Sequence, residues 1–164
     1  MARTEEAVRN AIIGAISATS VLSSLGLVDS SSILAKRLDN YRPEKRAEAI
    51  IATIAGSLER KIRAWAVEVY FSEQPRATGG INIRDYTIAV IPYYDPEDIN
   101  LMLTHSRYVI NAIRLLGHNF NSTLASTRSS SVSGPNLVET YIDDIDKYVT
   151  MELTWDCYDD IPDY

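Results

Sequence analysis

The segment from Asn82 to Gly117 does most to limit what this chain can fold into. Arg84-Asp85-Tyr86-Thr87-Ile88-Ala89-Val90-Ile91 is rich in β-branched and aromatic residues and lacks a helical period, so it reads as a strand. Pro92 has no N–H to give a ladder, which predicts an end to central-strand pairing there. Tyr93-Tyr94 then leads into Asp95-Pro96-Glu97-Asp98, a strong helix start. An Asp at the N-cap accepts a backbone N–H, Pro at the first helical position loses no useful donor, and two acids complement the helix dipole. Ile99, Met102, Leu103, Val109, Ile110, Ile113 and Leu116 recur at helical spacing, and Gly117 is expected to end the helix at C′. A strand turning straight into an amphipathic helix requires further elements to close a core.

At 164 residues the chain has one domain's worth of sequence, enough to bury a core without covalent staples. No apolar run approaches the roughly 20 residues that span a bilayer. The start, Met-Ala-Arg-Thr-Glu-Glu, is polar and acidic and does not read as a signal peptide. Cys157 stands alone, so no internal disulfide forms, as suits a reducing compartment or a particle assembled in one. The net charge of −6 argues against nucleic-acid binding by the surface as a whole. Charge is unevenly placed. Lys36, Arg37, Arg42, Lys45, Arg46, Arg60, Lys61 and Arg63 crowd one segment, whereas from Glu139 onward nine acids face one base, Lys147. The two segments could pair within one subunit or between copies, or be two solvated faces.

The remaining elements follow from local patterns. Thr4 can cap a first helix carrying Val8, Ile12 and Ile16 and ending near Ala18, followed by a loop over Thr19–Ser32. Ser30–Ala35 fits either a short strand or an extended connection. Tyr41-Arg42-Pro43-Glu44 opens a second helix with Ala47, Ile50, Ile51, Ile54 and Leu58 on its apolar face, ending at Gly56. From Lys61 to Phe71 the period becomes two: Trp65, Val67, Val69 and Phe71 face one way, Ala64, Ala66, Glu68 and Tyr70 the other. Gln74–Gly80 is a polar connection that should join this strand to the Asn82 strand as an antiparallel hairpin. Ser and Thr make up eight of the thirteen residues from Ser122 to Gly134, so 119–135 is expected to be a flexible loop. Leu137–Ile145 reads as a strand, and Val149, Met151, Leu153, Trp155 and Cys157 alternate with polar residues in the last one. Residues 158–164 form an acidic tail. The fold class expected is α+β: a single domain, residues 1–164, with an antiparallel sheet and helices packed on one face.

No persuasive active site emerges, and the expected catalytic, cofactor-binding and metal residues are none. His105 and His118 are thirteen apart, and His105 reads as a helix-packing or exposed residue rather than a ligand. HExxH, CxxC and Cys/His clusters are absent from the sequence. Asp143, Asp144 and Asp146 lack the glycine and spaced glutamate of a calcium loop, and Gly79-Gly80 lacks the lysine of a phosphate loop. Cys157 falls on the apolar side of its strand and reads as an inert core thiol. Ten tyrosines against two phenylalanines is an unusual ratio. Tyr86, Tyr93, Tyr94, Tyr108, Tyr141, Tyr148, Tyr158 and Tyr164 offer amphipathic surface of the kind favoured at interfaces, though tyrosine is also common in half-buried strands.

The order of these parts resembles the tail terminator (tail completion, minor tail protein U-like) proteins of long-tailed bacteriophages. The resemblance rests on Lys61-Ile62-Arg63-Ala64-Trp65-Ala66-Val67 and on Tyr86-Thr87-Ile88-Ala89-Val90-Ile91-Pro92-Tyr93-Tyr94. The helix Pro96–Leu116 and the strand around Tyr148–Asp156 follow in order, so it covers roughly residues 33 to 157. It implies a non-enzymatic structural protein of the virion, without cofactor, assembled in the host cytoplasm at the tail–neck junction. The implied partners are copies of itself in a homohexameric ring, the tail-tube protein below and a head–tail connector or neck protein above. DNA would pass through the lumen without sequence-specific binding, and no membrane is involved. The Gln74–Gly80 loop, the Ser-rich loop and the C-terminal tail are the expected contact elements. The alternatives are another neck or head-completion connector protein, a small cytosolic protein-binding module, or a hydrolase with an unmarked site.

Overall fold

The computed structural model describes residues 5–57, 59–75, 81–123, 127–128, 132–142 and 147–162. Its centre is the hairpin of β3 (Arg60–Pro75) and β4 (Ile81–Tyr94), paired antiparallel from Arg63↔Tyr94 to Pro75↔Asn82. The period-two pattern is the cause. Trp65, Val67 and Val69 are buried on one side, Ala64 and Ala66 on the other, a separation that a helix, turning 100° per residue, would scatter around its circumference. On the far side of β4 lies β7 (Lys147–Pro162), antiparallel, with β6 (Val132–Ile142) and the short β5 (Thr127–Arg128) on its outer edge. At the opposite end, β1 (Ile33–Leu34) pairs in parallel with Trp65–Ala66, and β2 (Ile51–Thr53) pairs antiparallel with Arg60–Ile62. Ser30–Ala35 therefore contains a strand. The chain is a single α+β domain built on a predominantly antiparallel sheet.

Three helices cover one face of that sheet: α1 (Glu5–Ile16), α2 (Thr19–Ser24) and α4 (Ile99–Thr123). Val8, Ile12 and Ile16 of α1 and Met102, Val109 and Ile113 of α4 meet Trp65, Val67, Tyr86, Val90, Met151 and Leu153 in one core. A smaller core fills the other face at one end. There α3 (Pro43–Ile50) and a 3₁₀ turn at Leu38–Asn40 lay Leu38 and Ile50 over Ala64, Ala66, Ile91, Tyr93 and Tyr148.

Several expectations are corrected. Thr19–Ser24 is helical, not loop, held by Leu22 N–H to Ala18 O and Leu25 N–H to Val21 O bonds. The second helix starts as expected with Pro43 in its first turn but stops at Ile50, and Ile51–Thr53 becomes a strand. Its apolar run supports either period, and the free edge of β3 supplies the ladder that decides between them. Gly56 sits instead in the β2–β3 turn at φ +88°, a left-handed conformation that glycine adopts without strain. Pro92 does not end β4, which runs to Tyr94, but the ladder to β7 breaks between Val90↔Leu153 and Tyr93↔Thr150 and resumes in the same register. The missing N–H costs local pairing, not the strand.

Of the segment expected as a Ser-rich loop over 119–135, the described residues 119–123, 127–128 and 132–135 belong to α4, β5 and β6, and 124–126 and 129–131 lie outside the described residues. α4 continues through Gly117 to Thr123, and β6 begins at Val132. A glycine inside a long helix costs only about 1 kcal/mol, which the flanking turns outweigh. β7 likewise extends to Pro162, taking in most of the acidic tail. Thr4, Leu58, residues 76–80 of the expected hairpin loop, 143–146, and Asp163 and Tyr164 lie outside the described residues.

Candidate functional site

Two buried polar networks flank the sheet, one on each face. On the face covered by α3, Glu68 projects from β3 and is 5% exposed. A bare carboxylate there would be costly, and four donors converge on it. Arg37 donates twice, from its backbone N–H (3.0 Å) to Oε1 and from Nε (2.6 Å) to Oε2; Asn40 Nδ2 donates to Oε1 (3.0 Å) and the Tyr70 hydroxyl to Oε2. Arg37 also reaches Glu152 on β7 through Nη1 at 3.2 Å. Burial alone would raise the Glu68 pKa, but the bonds from Tyr70 and Arg37 outweigh it and hold the carboxyl below its usual range. For Arg37, burial opposes the charge, and Glu152 and Glu68 overcome it and hold the guanidinium above its usual pKa. Beside this cluster a small cleft of about 80 Å³ is lined by Arg37, Asp39, Ile91, Tyr93, Tyr148 and Glu152. Tyr93 accepts from the Leu38 N–H through its hydroxyl at 3.1 Å, and burial pushes its pKa up to about 12.

On the helix-covered face, the Tyr-Tyr corner organises the second network. Trp65 Nε1 donates to the Tyr94 hydroxyl (3.2 Å), which lies 2.7 Å from His105 Nδ1 on α4. Tyr94 has one hydrogen, and its oxygen already accepts from Trp65. In the tautomer protonated on the other ring nitrogen, Nδ1 accepts that hydrogen. Burial, reinforced by the nearby Arg63 charge, lowers the His105 pKa to about 4, so the ring is neutral near pH 7. Arg63, 4% exposed, lies over the Tyr94 ring at 5.2 Å and donates to Asp98 Oδ2 (3.3 Å) and to the Leu25 carbonyl (3.4 Å). Asp95 does not cap the helix with its side chain as expected. It accepts from the Ile62 N–H at 3.1 Å, tying the corner to β3, and Pro96–Asp98 form a 3₁₀ turn before α4.

These networks fasten β1–α3, β3, β4, β7 and α4 to one another, and nothing in their geometry sets a nucleophile beside a base. His105 is a buried packing histidine bonded to Tyr94. The Arg37–Glu152 bridge joins the basic and acidic segments within one subunit. Of the tyrosines considered as interface surface, Tyr86, Tyr93, Tyr94 and Tyr148 are buried core residues, corrected by their positions facing the two cores. Tyr108 is exposed, and the side chains of Tyr141, Tyr158 and Tyr164 lie outside the described ones. Cys157 pairs with Tyr86 in register. Sequence reasoning missed the Glu68 cluster. The signal was available as a lone glutamate inside an otherwise apolar strand, though nothing local identifies Arg37, thirty-one residues away, as its partner.

The exposed surface carries the other candidate feature, an apolar stripe on α4. Leu101 (37% exposed), Tyr108 (43%) and Leu115 (64%) follow at seven-residue spacing, with Leu103 exposed on another flank. Among the described residues no group of three or more His, Cys, Asp or Glu side chains is placed to hold a metal ion. No described helix is long and apolar enough to cross a membrane. No family model matches the chain, and no curated protein matches its sequence.

Proposed function

We propose that this chain is a structural virion protein, the tail terminator of a long-tailed bacteriophage. In this reading it closes with its copies into a homohexameric ring that caps the tail tube and joins it to the head–tail connector. What supports the reading is the unit that carries the resemblance. Ile62–Val67, Tyr86–Tyr94 and the following helix form the centre of the core, pinned by the Trp65–Tyr94–His105 chain and the Asp95 bond to Ile62. Around that rigid centre, exposed apolar side chains on α4 offer surface for other subunits. The role requires protein interfaces and a passage for DNA rather than a reaction centre. A wall of acidic side chains from the C-terminal segment would let phosphates slide past without binding.

The test is native mass spectrometry of the purified protein over a concentration series, with negative-stain images of the same samples, followed by addition of isolated tail tubes. Rings of six that seat on tube ends are the expected result. A protein that neither forms rings nor decorates tube ends overturns the proposal.

A further inference from the structure

The cleft beside the Glu68 cluster is lined by donors and acceptors that the subunit itself does not use. Tyr93 is 5% exposed, and its hydroxyl oxygen accepts the Leu38 N–H, but the hydroxyl hydrogen meets no acceptor among the described residues. Thr150, 6% exposed, lines the same cleft, and its hydroxyl reaches the Met151 carbonyl at 3.5 Å, the far limit of a hydrogen bond. Buried hydroxyls so poorly paired are costly unless an acceptor enters the space they line. The acceptors stand on the same walls. The exposed carboxylate of Asp39 makes no hydrogen bond or ion pair among the described residues. Glu152 engages Arg37 through Oε2, which leaves Oε1 for another donor. The cleft's volume of about 80 Å³ is several times what one water needs, roughly 10–15 Å³, and far below the roughly 300–1,000 Å³ of drug-sized sites. Its occupant is therefore a small group, and the apolar part of the wall, Ile91 with the Tyr93–Tyr148 ring pair at 5.4 Å, suits an attached methyl or methylene.

We infer that this cleft binds a primary carboxamide, the end group of a small amide or of an Asn or Gln side chain. Its carbonyl oxygen accepts from the Tyr93 and Thr150 hydroxyls, and its NH₂ group donates to Glu152 Oε1 and Asp39. Single-function groups fit less well. A carboxylate would serve the hydroxyls but meet the charges of Asp39 and Glu152, whereas an ammonium would serve the carboxylates and offer the hydroxyls no lone pair. The site lies within one subunit and does not depend on assembly into a ring.

The experiment follows the Tyr93 and Tyr148 ring resonances and the Ile91 methyl resonances by NMR as the full chain is titrated with acetamide. Sodium acetate and methylammonium chloride are titrated separately. Acetamide should give saturable shifts confined to the cleft, and the two salts should not. Asp39→Ala, at an exposed position, and Thr150→Val, of nearly the same shape, should each keep the unfolding midpoint. Each should weaken acetamide binding about tenfold, as the loss of one hydrogen bond does. Nα-Acetylglutamine methylamide separates the sources: binding as tight as acetamide assigns the site to a side chain of another protein, and exclusion assigns it to a free amide. Absence of a saturable acetamide shift overturns the inference, as does acetate or methylammonium binding equally well. Variants that bind acetamide as the wild type does overturn it too.

Discussion

Lowering the pH should destabilise this protein through one histidine. Burial, reinforced by the nearby Arg63 charge, lowers the pKa of His105 to about 4 in the folded chain against 6.5 for an ordinary histidine. A folded-state pKa below the unfolded one means that the unfolded chain binds the proton first. Stability is therefore lost as pH falls from about 6.5 towards 4, and the loss levels off below the folded value. A separation of about 2.5 units corresponds to about 3 kcal/mol, of which about 2 kcal/mol is already gone at pH 5. That is a large share of the roughly 5–15 kcal/mol that holds a domain together. The assay is urea unfolding at pH 7, 6, 5 and 4 for the wild type and for His105→Asn, whose amide oxygen can take the Tyr94 hydrogen but does not titrate. Carboxylates such as Glu68 contribute equally to both proteins and cancel in the difference. The gap between the two stability curves should shift by about 3 kcal/mol in favour of the variant between pH 7 and pH 4. Parallel curves would refute the assignment of His105 as a buried neutral acceptor.

Glu68→Ala should cost about 3 kcal/mol in urea unfolding at pH 7, since it leaves Arg37 and Asn40 without their shared acceptor; a loss below about 1 kcal/mol would mean that water replaces the carboxylate. Trp65→Phe removes both ring volume and the bond to Tyr94 and should cost about 2 kcal/mol, with no recovery on acidification. Gly56→Ala should cost about 1 kcal/mol through its left-handed backbone alone, because the added methyl meets no neighbour, and hydrogen exchange should localise the effect to the β2–β3 turn.

The sequence made the hairpin and its faces legible because burial there has a period that no other structure shares. Trp65, Val67 and Val69 had to lie together, and Val149, Met151 and Leu153 likewise. Ile51–Thr53 departs from the helix expected there because so short a segment fits either a helix or a strand, and the β3 edge that settles the matter comes later in the chain. Gly117 and Pro92 were given too much weight. Each weakens an element by removing one local contribution, and a long helix or a strand paired along its other edge absorbs the loss. The two polar networks were only half visible. Glu68, Arg63 and His105 stand out as polar residues in apolar surroundings, but their partners are set by tertiary geometry that spacing does not encode.

The position of β7 has a consequence for how this domain is acquired. It is the latest strand in the sequence yet lies inside the sheet, between β4 and β6, and its Glu152 bonds to Arg37, 115 residues earlier. Until that strand arrives, β4 offers an unsatisfied ladder and Met151 and Leu153 are missing from the main core. Chain closure is thus dominated by distant contacts, which slows folding. An incompletely synthesised chain presents an open, apolar sheet edge to whatever strand it meets first. Completion of this sheet is therefore expected to wait until β7 has been made.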